Sequence, residues 1–397
     1  MNPLQDKRIV VGITGSIAAY KAGELVRELR REGAEVKVVM TMAAQEFVAP
    51  LTFQVLSGNP VYTSLFHLEG QWESRHISLS QWGELIVIAP ATADIISRLS
   101  LGLADELLTT LVLASQAPKI VCPAMNSGMW QNPIIQSNSS RLKEMGFHFV
   151  GPGYGELASG EIGRGRFALI EEIVGKIKEI LYPKKDLLGR KVVVTAGRTE
   201  EDLDPVRVLT NRSSGRMGYC LAQVAKWRGG ELTLISGPSD LPPPFGVNLQ
   251  RVRSTEQMRE KVKEAFREGD ILVMAAAVAD FQPQKRLPEK MGRTRTSLNL
   301  KPTPDILKEI GEEKVDKILI GFALETGNGI NRAKRKLTVK NLDLIVLNDP
   351  TQEGAGFELE TNVVTLIWRD GRIEPLPKLS KLEVAERIWD RIAEALK

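Results

Sequence analysis

Two stretches of small residues directly follow runs of branched apolar residues. They are Gly12-Ile13-Thr14-Gly15-Ser16 after Ile9-Val10-Val11, and Thr195-Ala196-Gly197 after Val192-Val193-Val194. Small side chains there let backbone N–H groups approach a ligand, and a following helix aims its positive end at the same place. Phosphate binding is the chemistry such openings serve, so two of them predict two nucleotide-like ligands. Ala89-Pro90-Ala91-Thr92-Ala93-Asp94 has the same strand-to-helix setting and adds a hydroxyl. Asn126 sits in Pro123-Ala124-Met125-Asn126-Ser127-Gly128-Met129-Trp130, directly after an apolar run, where an amide can hydrogen-bond a carboxylate in apolar surroundings. His76, in Ser74-Arg75-His76-Ile77-Ser78, is a candidate for proton transfer in a polar rather than helical context. The competing reading treats the clusters as small-residue turns and the lone histidine as structural. A dinucleotide site is disfavoured, because GxGxxG is absent and the second strand ends in Met40-Thr41 where a ribose-binding carboxylate is expected.

The second half carries its own set. Residues 199–218 form a long charged string ending at a helix start; Ser213, Ser214 and Gly215 offer hydroxyls and amides to phosphate, and Arg207 and Arg212 offer charge-assisted bonds. Ala275-Ala276-Ala277-Val278-Ala279-Asp280 closes a strand with small residues and one carboxylate, suited to a ribose or a magnesium ion, which needs few carboxylates when phosphates supply the rest.

The elements that must position these groups alternate along the chain. Strand-like runs at 9–13, 36–40, 85–89, 120–122 and 147–150 alternate with helical patterns at 17–31, 93–100, 105–115, 133–145 and 170–180. That alternation predicts right-handed crossovers on a buried parallel sheet. Residues 181–186, with a proline and charges, break the pattern and mark a domain boundary. Strands near 191–195, 232–235, 271–275, 318–322 and 344–347 then alternate with helices near 217–228, 255–267 and 331–340, followed by an edge hairpin from 363 and a closing helix at 382–396. The expected fold is α/β, with two doubly wound parallel-sheet, Rossmann-like domains. Residues 151–166 and 282–296 resist assignment and read as functional lids or disordered loops.

At 397 residues the chain exceeds one ordinary domain. Its 53 basic and 49 acidic residues leave a net charge of only +4, which predicts no nucleic-acid partner. Two cysteines and three histidines without HExxH argue against a disulfide framework or zinc site. The start, MNPLQDKR, holds no apolar signal core and no run approaches a membrane span, so no membrane association and a cytoplasmic setting are expected.

GITGSIAAYKA, RHISL, APATAD and PAMNSGMW, spread over residues 7–180, resemble the signatures of the flavin-containing cysteine decarboxylases. The resemblance implies a flavodoxin-like flavoprotein domain over 1–182. It implies FMN with its phosphate near Gly15 and Ser16, helped by the 89–94 turn, and Thr41, Ala89 and Thr92 among its contacts. It implies His76 as active-site base and Asn126 as holder of the substrate carboxylate. Flavin oxidation at the carbon bearing sulfur would create the electron sink into which carbon dioxide is lost. That family carries a cysteine as proton donor in its Gly-rich clamp. Here the clamp reads Gly155-Glu156-Leu157-Ala158-Ser159-Gly160-Glu161-Ile162-Gly163, with Ser159 in its place. A serine hydroxyl is a far weaker acid than a thiol. Three outcomes follow: Ser159 relays a proton, Cys122 substitutes, or the reaction stops at the enethiol.

The 199–218 string, the 275–280 turn, Gly321-Phe322-Ala323-Leu324-Glu325-Thr326 and Asn348-Asp349-Pro350 resemble the phosphopantothenate–cysteine ligases over 187–397. The fusion order is similar to the bacterial bifunctional enzymes of coenzyme A biosynthesis. That likeness implies CTP activating 4′-phosphopantothenate as an acyl-cytidylate, followed by attack of cysteine's amine. It implies Ala276, Ala277, Asp280, Phe322 and Lys290 at the nucleotide, with Asp280 on Mg2+. It matches Lys290 to cytidylate formation, and Asn211 and Arg207 to the second step. The lysine-dense flap of the ligases is altered here to Lys290-Met291-Gly292-Arg293, with Arg295 nearby. Decarboxylases of this kind form trimers and the ligases dimers, so a homo-oligomer is expected, with a dodecamer satisfying both. The competing functional reading is a flavin-binding regulatory protein whose decarboxylase half has lost turnover.

Overall fold

A computed structural model describes residues 2–66, 74–293, 297–349, 351–352, 354 and 359–396; Arg295 and Pro350 lie outside the described residues. The chain divides into two units, Asn2–Pro183 and Lys184–Lys397.

In the first unit, β1 (Arg8–Ile13), β2 (Glu35–Met40), β3 (Val61–Tyr62), β4 (Leu85–Ala91), β5 (Lys119–Pro123) and β6 (His148–Phe149) form one sheet. Its order is β3-β2-β1-β4-β5-β6, and every neighbouring pair is parallel. The expected doubly wound class holds. Within it, three strands stand on each side of the β1/β4 junction, the Rossmann order rather than the flavodoxin order. The central strands are apolar throughout because helices cover both faces; Val10, Ile86, Ile88, Ile95, Leu111 and Leu142 share one cluster.

Three local expectations change. The helix predicted at 17–31 begins as a 3-10 turn, Ile17–Lys21, before the α-helix Ala22–Arg31, a tightening common at helix starts. His76 lies in a helix, Arg75–Trp82, which buries Leu79 and exposes Ile77, so no apolar stripe marks it in the sequence. Residues 151–166 are an ordered hairpin of β7 (Gly153–Glu156) and β8 (Ile162–Arg166).

The second unit contains β9 (Lys191–Ala196), β10 (Glu200–Asp202), β11 (Val208–Thr210), β12 (Glu231–Ser236), β13 (Asn248–Arg251), β14 (Ile271–Met274), β15 (Phe281–Pro283), β16 (Leu300–Pro302), β17 (Ile318–Leu324), β18 (Leu344–Asn348), β19 (Thr361–Asn362), β20 (Val364–Trp368), β21 (Ile373–Pro375) and β22 (Leu379–Ser380). Its main sheet runs β13-β12-β9-β14-β17-β18-β20-β21. It is parallel as far as β18, then antiparallel through the expected hairpin. The pairs β10–β11 and β15–β16 stand outside this sheet, and β15–β16 organises part of the stretch at 282–296 that sequence alone leaves unassigned.

The closing helix, Lys381–Ala395, starts with a capping box between Ser380 and Glu383 and buries Trp389, whose Nε1 donates to the Leu221 carbonyl at 2.9 Å. Arg228, 1% exposed, ties this helix to the start of the unit by ion pairs with Asp186 and Asp390. Burial opposes the charge on Asp390, but hydrogen bonds from Lys184 and Arg228 outweigh it and hold the carboxyl below the usual carboxylate range.

Arg228→Met should destabilise this unit by about 2 to 3 kcal/mol, below the value for a fully buried pair because both aspartates stay partly hydrated. Denaturant unfolding of the full chain reads the change. Because the folded Asp390 value is depressed, its contribution is present above the ordinary carboxylate range and fades as pH falls through the folded value. The gap between wild type and variant should therefore narrow in acid.

Candidate active sites

The turns after β1 and β4 diverge at the point where the sheet order reverses, opening a cleft at the strand ends. Thr14, 2% exposed, holds the cleft's floor: its Oγ1 donates to the Pro90 carbonyl at 2.7 Å and accepts from the Thr92 amide at 3.1 Å. Three hydroxyls cap the helix starts around it. Ser16 Oγ accepts from Ala18 N, Thr41 Oγ1 from Ala44 N and Thr92 Oγ1 from Ile95 N. A cavity of about 1110 Å3 results, lined by Gly15, Ser16, Thr41, Thr92, Asn126 and Ser159 together.

The cavity has an apolar side, Ile17, Met42, Ala43, Met125, Leu157 and Phe167, and a charged one. Arg98 there donates to Asp94 at 2.9 Å and Asp105 at 2.6 Å. Glu106 lies beside them, and burial pushes its carboxyl above the usual range. Arg98, Arg166, Glu106 and Glu156 were not singled out from sequence, because nothing in their local pattern says that their elements end at this cleft.

Ala89 and His76 do not line this cavity. Ala89 is 0% exposed inside β4, so the turn offers Thr92 instead. His76 sits at the start of its helix with Nδ1 2.9 Å from Ser74 Oγ. Cys122 is 0% exposed in β5, away from the lining, and burial pushes its thiol far above the ordinary range. It offers no replacement for the proton donor.

The hairpin that carries Ser159 is docked by backbone. Met125 N donates to the Gly165 carbonyl at 3.0 Å, and a Cβ on Gly165 would stand 2.1 Å from the Met125 oxygen, so only glycine allows this approach. At its tip Leu157 N donates to the Glu161 carbonyl at 2.9 Å, and Asn126 Nδ2 donates to Glu161 Oε2 at 3.1 Å.

The second unit repeats the plan. Thr195 Oγ1 accepts from the Ala276 amide at 3.1 Å, holding the turn after β14 against the end of β9. Gly215, with φ of 82°, caps the helix Arg216–Trp227 and lies where a Cβ would be 2.8 Å from Gly197 N. The cavity here is about 830 Å3 and brings together Asn211, Ser213, Ser214, Ala276, Ala277, Asp280 and Phe322. Asn211 Nδ2 donates to the carbonyls of Ala277 and Val278 at 3.1 and 3.2 Å, which fixes the amide at the cavity wall.

Three lysines that sequence reasoning missed also line it. Lys336 pairs with Glu325 at 2.7 Å and Lys340 with Asp305 at 2.9 Å. Lys381, 4% exposed, is held below its ordinary range by burial and by Arg216. Lys290 and Arg207 are not in the lining. Arg207 pairs instead with the buried Asp204 carboxylate at 3.5 Å, which also accepts at 3.0 Å from the backbone N of Met291, the residue after Lys290. Among the described residues no group of three or more His, Cys, Asp or Glu could hold a metal, and no helix is long and apolar enough to cross a membrane.

Residues 2–182 match the Flavoprotein family and residues 187–396 the DNA/pantothenate metabolism flavoprotein C-terminal domain. The coenzyme A biosynthesis bifunctional protein CoaBC of Bacillus subtilis (strain 168) is 44% identical over 98% of this chain and 97% of its own length. Its namesake in Escherichia coli (strain K12) is 40% identical over 94% of each. The chain belongs to the bifunctional coenzyme A biosynthesis proteins. It is therefore a flavoprotein enzyme with phosphopantothenoylcysteine decarboxylase and phosphopantothenate–cysteine ligase functions, and a purely regulatory reading is not favoured.

Two solved structures are similar to parts of the chain. The C-terminal domain of a CoaBC is 40% identical over 54% of this chain and 98% of its own, with a TM-score of 0.47. A PPC decarboxylase mutant complexed with pantothenoylaminoethenethiol is 31% identical over 44% of this chain and 97% of its own, with a TM-score of 0.39.

Thr14→Val should leave the Pro90 carbonyl and Thr92 amide unpaired. The expected cost is about 2 kcal/mol in stability with weaker flavin retention, read by thermal unfolding and by flavin released on gel filtration.

Proposed function

We propose that the first cavity binds FMN and decarboxylates 4′-phosphopantothenoylcysteine, and that the second joins cysteine to 4′-phosphopantothenate at the cost of CTP. The carrying observation is that Gly15, Ser16, Thr41, Thr92, Asn126 and Ser159 meet in one cleft at a sheet switch point. The decarboxylase then spans 1–182 and the ligase 187–397. FMN, when bound, supplies reversible oxidation of the carbon bearing sulfur. The chain's own groups do the rest: hydroxyls and amides at 15–16, 41 and 92 hold the phosphate end, apolar side chains cover the ring, and Asn126 takes the carboxylate. Ser159, lining the cavity, relays the last proton.

In the second cavity Ser213, Ser214 and the helix start at Gly215 suit phosphate oxygens, and Asp280 suits a Mg2+ ion shared with them. Activation as an acyl-cytidylate uses Lys290, and Asn211 and Arg207 serve the attack of cysteine's amine.

His76, Lys290 and Arg207 stand away from the cavities of their own units. We take this as support for a homo-oligomer, trimeric through the decarboxylase and dimeric through the ligase, hence a dodecamer. Each cavity is completed by a neighbouring copy. Exposed apolar side chains favour such contacts: Leu51 and Val55, one helical turn apart, are 66% and 71% exposed, and Met42 is 73% exposed. Two free cysteines suit a reducing, cytoplasmic setting.

A mass-resolved product assay on wild type with CTP, cysteine and 4′-phosphopantothenate should yield 4′-phosphopantetheine. Accumulated enethiol would overturn the Ser159 relay. His76→Asn should abolish decarboxylation and spare ligation, and Lys290→Gln should do the reverse. Co-folding His76→Asn with Asn126→Ala chains should restore part of the decarboxylase activity if the sites are shared between copies, whereas no restoration would place His76 in its own subunit's site.

A further inference from the structure

Asn126 already holds a carboxylate in this structure, and it belongs to the protein. Its Oδ1 accepts from Gly128 N at 2.8 Å, which fixes the amide so that Nδ2 is the outward donor. That donor meets Glu161 Oε2 at 3.1 Å. Glu161 is not needed to seat the hairpin, whose base is held by the bond from Met125 N to the Gly165 carbonyl. What it anchors is the tip. Leu157 N donates to the Glu161 carbonyl and Gly160 N to the Leu157 carbonyl, so Glu161 and Ser159 share one tight turn.

We infer that Glu161 is a specificity-determining residue that occupies the carboxylate subsite of Asn126 and is exchanged for the substrate's carboxylate in each turnover. This rests on the reading of Asn126 given above. Two carboxylates on one amide repel, so an entering substrate displaces Glu161 and shifts the turn that carries Ser159. Loss of carbon dioxide removes the competing group. Glu161 then returns to Asn126 and brings Ser159 back to the cavity wall for the protonation that follows. The same exchange discriminates by charge. A ligand without a carboxylate leaves Glu161 in place, so the decarboxylated product gains nothing from Asn126.

The test uses the flavin-loaded full chain and two unreactive probes, 4′-phosphopantothenoylserine and its carboxylate-free counterpart, 4′-phosphopantothenoylethanolamine. Binding is followed by the change in flavin absorbance, which reads the decarboxylase cavity alone. Glu161→Ala should tighten binding of the serine probe about fivefold, the worth of one removed competing hydrogen bond, and leave the ethanolamine probe unchanged. Asn126→Ala should weaken the serine probe and spare the other. Equal changes for both probes in Glu161→Ala, or none, would overturn the exchange. If Asn126→Ala behaves as expected while Glu161→Ala does not, only the exchange fails. If Asn126→Ala alters neither probe, the carboxylate subsite itself fails, and the exchange with it.

Discussion

Each unit depends on how a parallel sheet ends at its switch point. Two neighbouring strands send their chains in opposite directions there, leaving backbone groups that neither strand can pair. Both units solve this with a buried threonine on the first strand or just beyond it. Thr14 Oγ1 accepts from the Thr92 amide in one, and Thr195 Oγ1 accepts from the Ala276 amide in the other. In the first unit the hydroxyl bridges the two turns, while in the second it is joined by a backbone bond from Ala277 N to the Gly197 carbonyl at 2.9 Å. Every ligand contact proposed for the strand ends relies on these bonds.

Around the two clefts the chain distributes charge differently. The flavoprotein unit places Arg98, Asp94, Asp105 and Glu106 beside an apolar wall, a mixture suited to a flat ring system with a polar tail. The second unit gathers Lys336, Lys340 and Lys381 around small-residue turns, a setting for phosphate oxygens. Two of those lysines are already engaged by Glu325 and Asp305, so the polyphosphate proposed for this cavity would compete with carboxylates for them. A comparable contest stands at Asn126, where Glu161 precedes the substrate. In both units these resting contacts are made by carboxylates, which keep the donors oriented.

The residues off the cavities follow a different rule. His76 lies on a short helix that buries Leu79, and Arg207 and the Met291 amide, next to Lys290, meet at Asp204, whose carboxyl is held below the usual range chiefly by that amide. Such positions are fixed by local capping and turn chemistry, which a single chain can satisfy.

Much of the plan was written in the chain. Runs of branched apolar residues ending in Gly12–Ser16 and 195–197 determined the strand ends, because only buried parallel strands carry such runs, and small residues after them mark backbone approach. Asn126 and Asp280 were legible for the same reason, each following a strand, whereas Ser159 and Asn211 were marked only by the resemblance to the two enzyme families. Helices without an apolar stripe were not. The helix Pro50–Ser57 has proline at its start and Gly58 at its end, yet exposes Leu51 and Val55, so its periodicity points the wrong way. Tertiary structure alone decided that Ala89 is buried while Thr92 faces the cavity, that Cys122 is sealed from it, that Arg98 and Lys381 line the cavities of their units, and that Glu161 meets Asn126. Spacing along a chain fixes which side of its own strand or helix a residue occupies. Which cleft that side borders is set by contacts between segments far apart in sequence, such as Asn126 with Glu161, and those exist only once the sheets have closed.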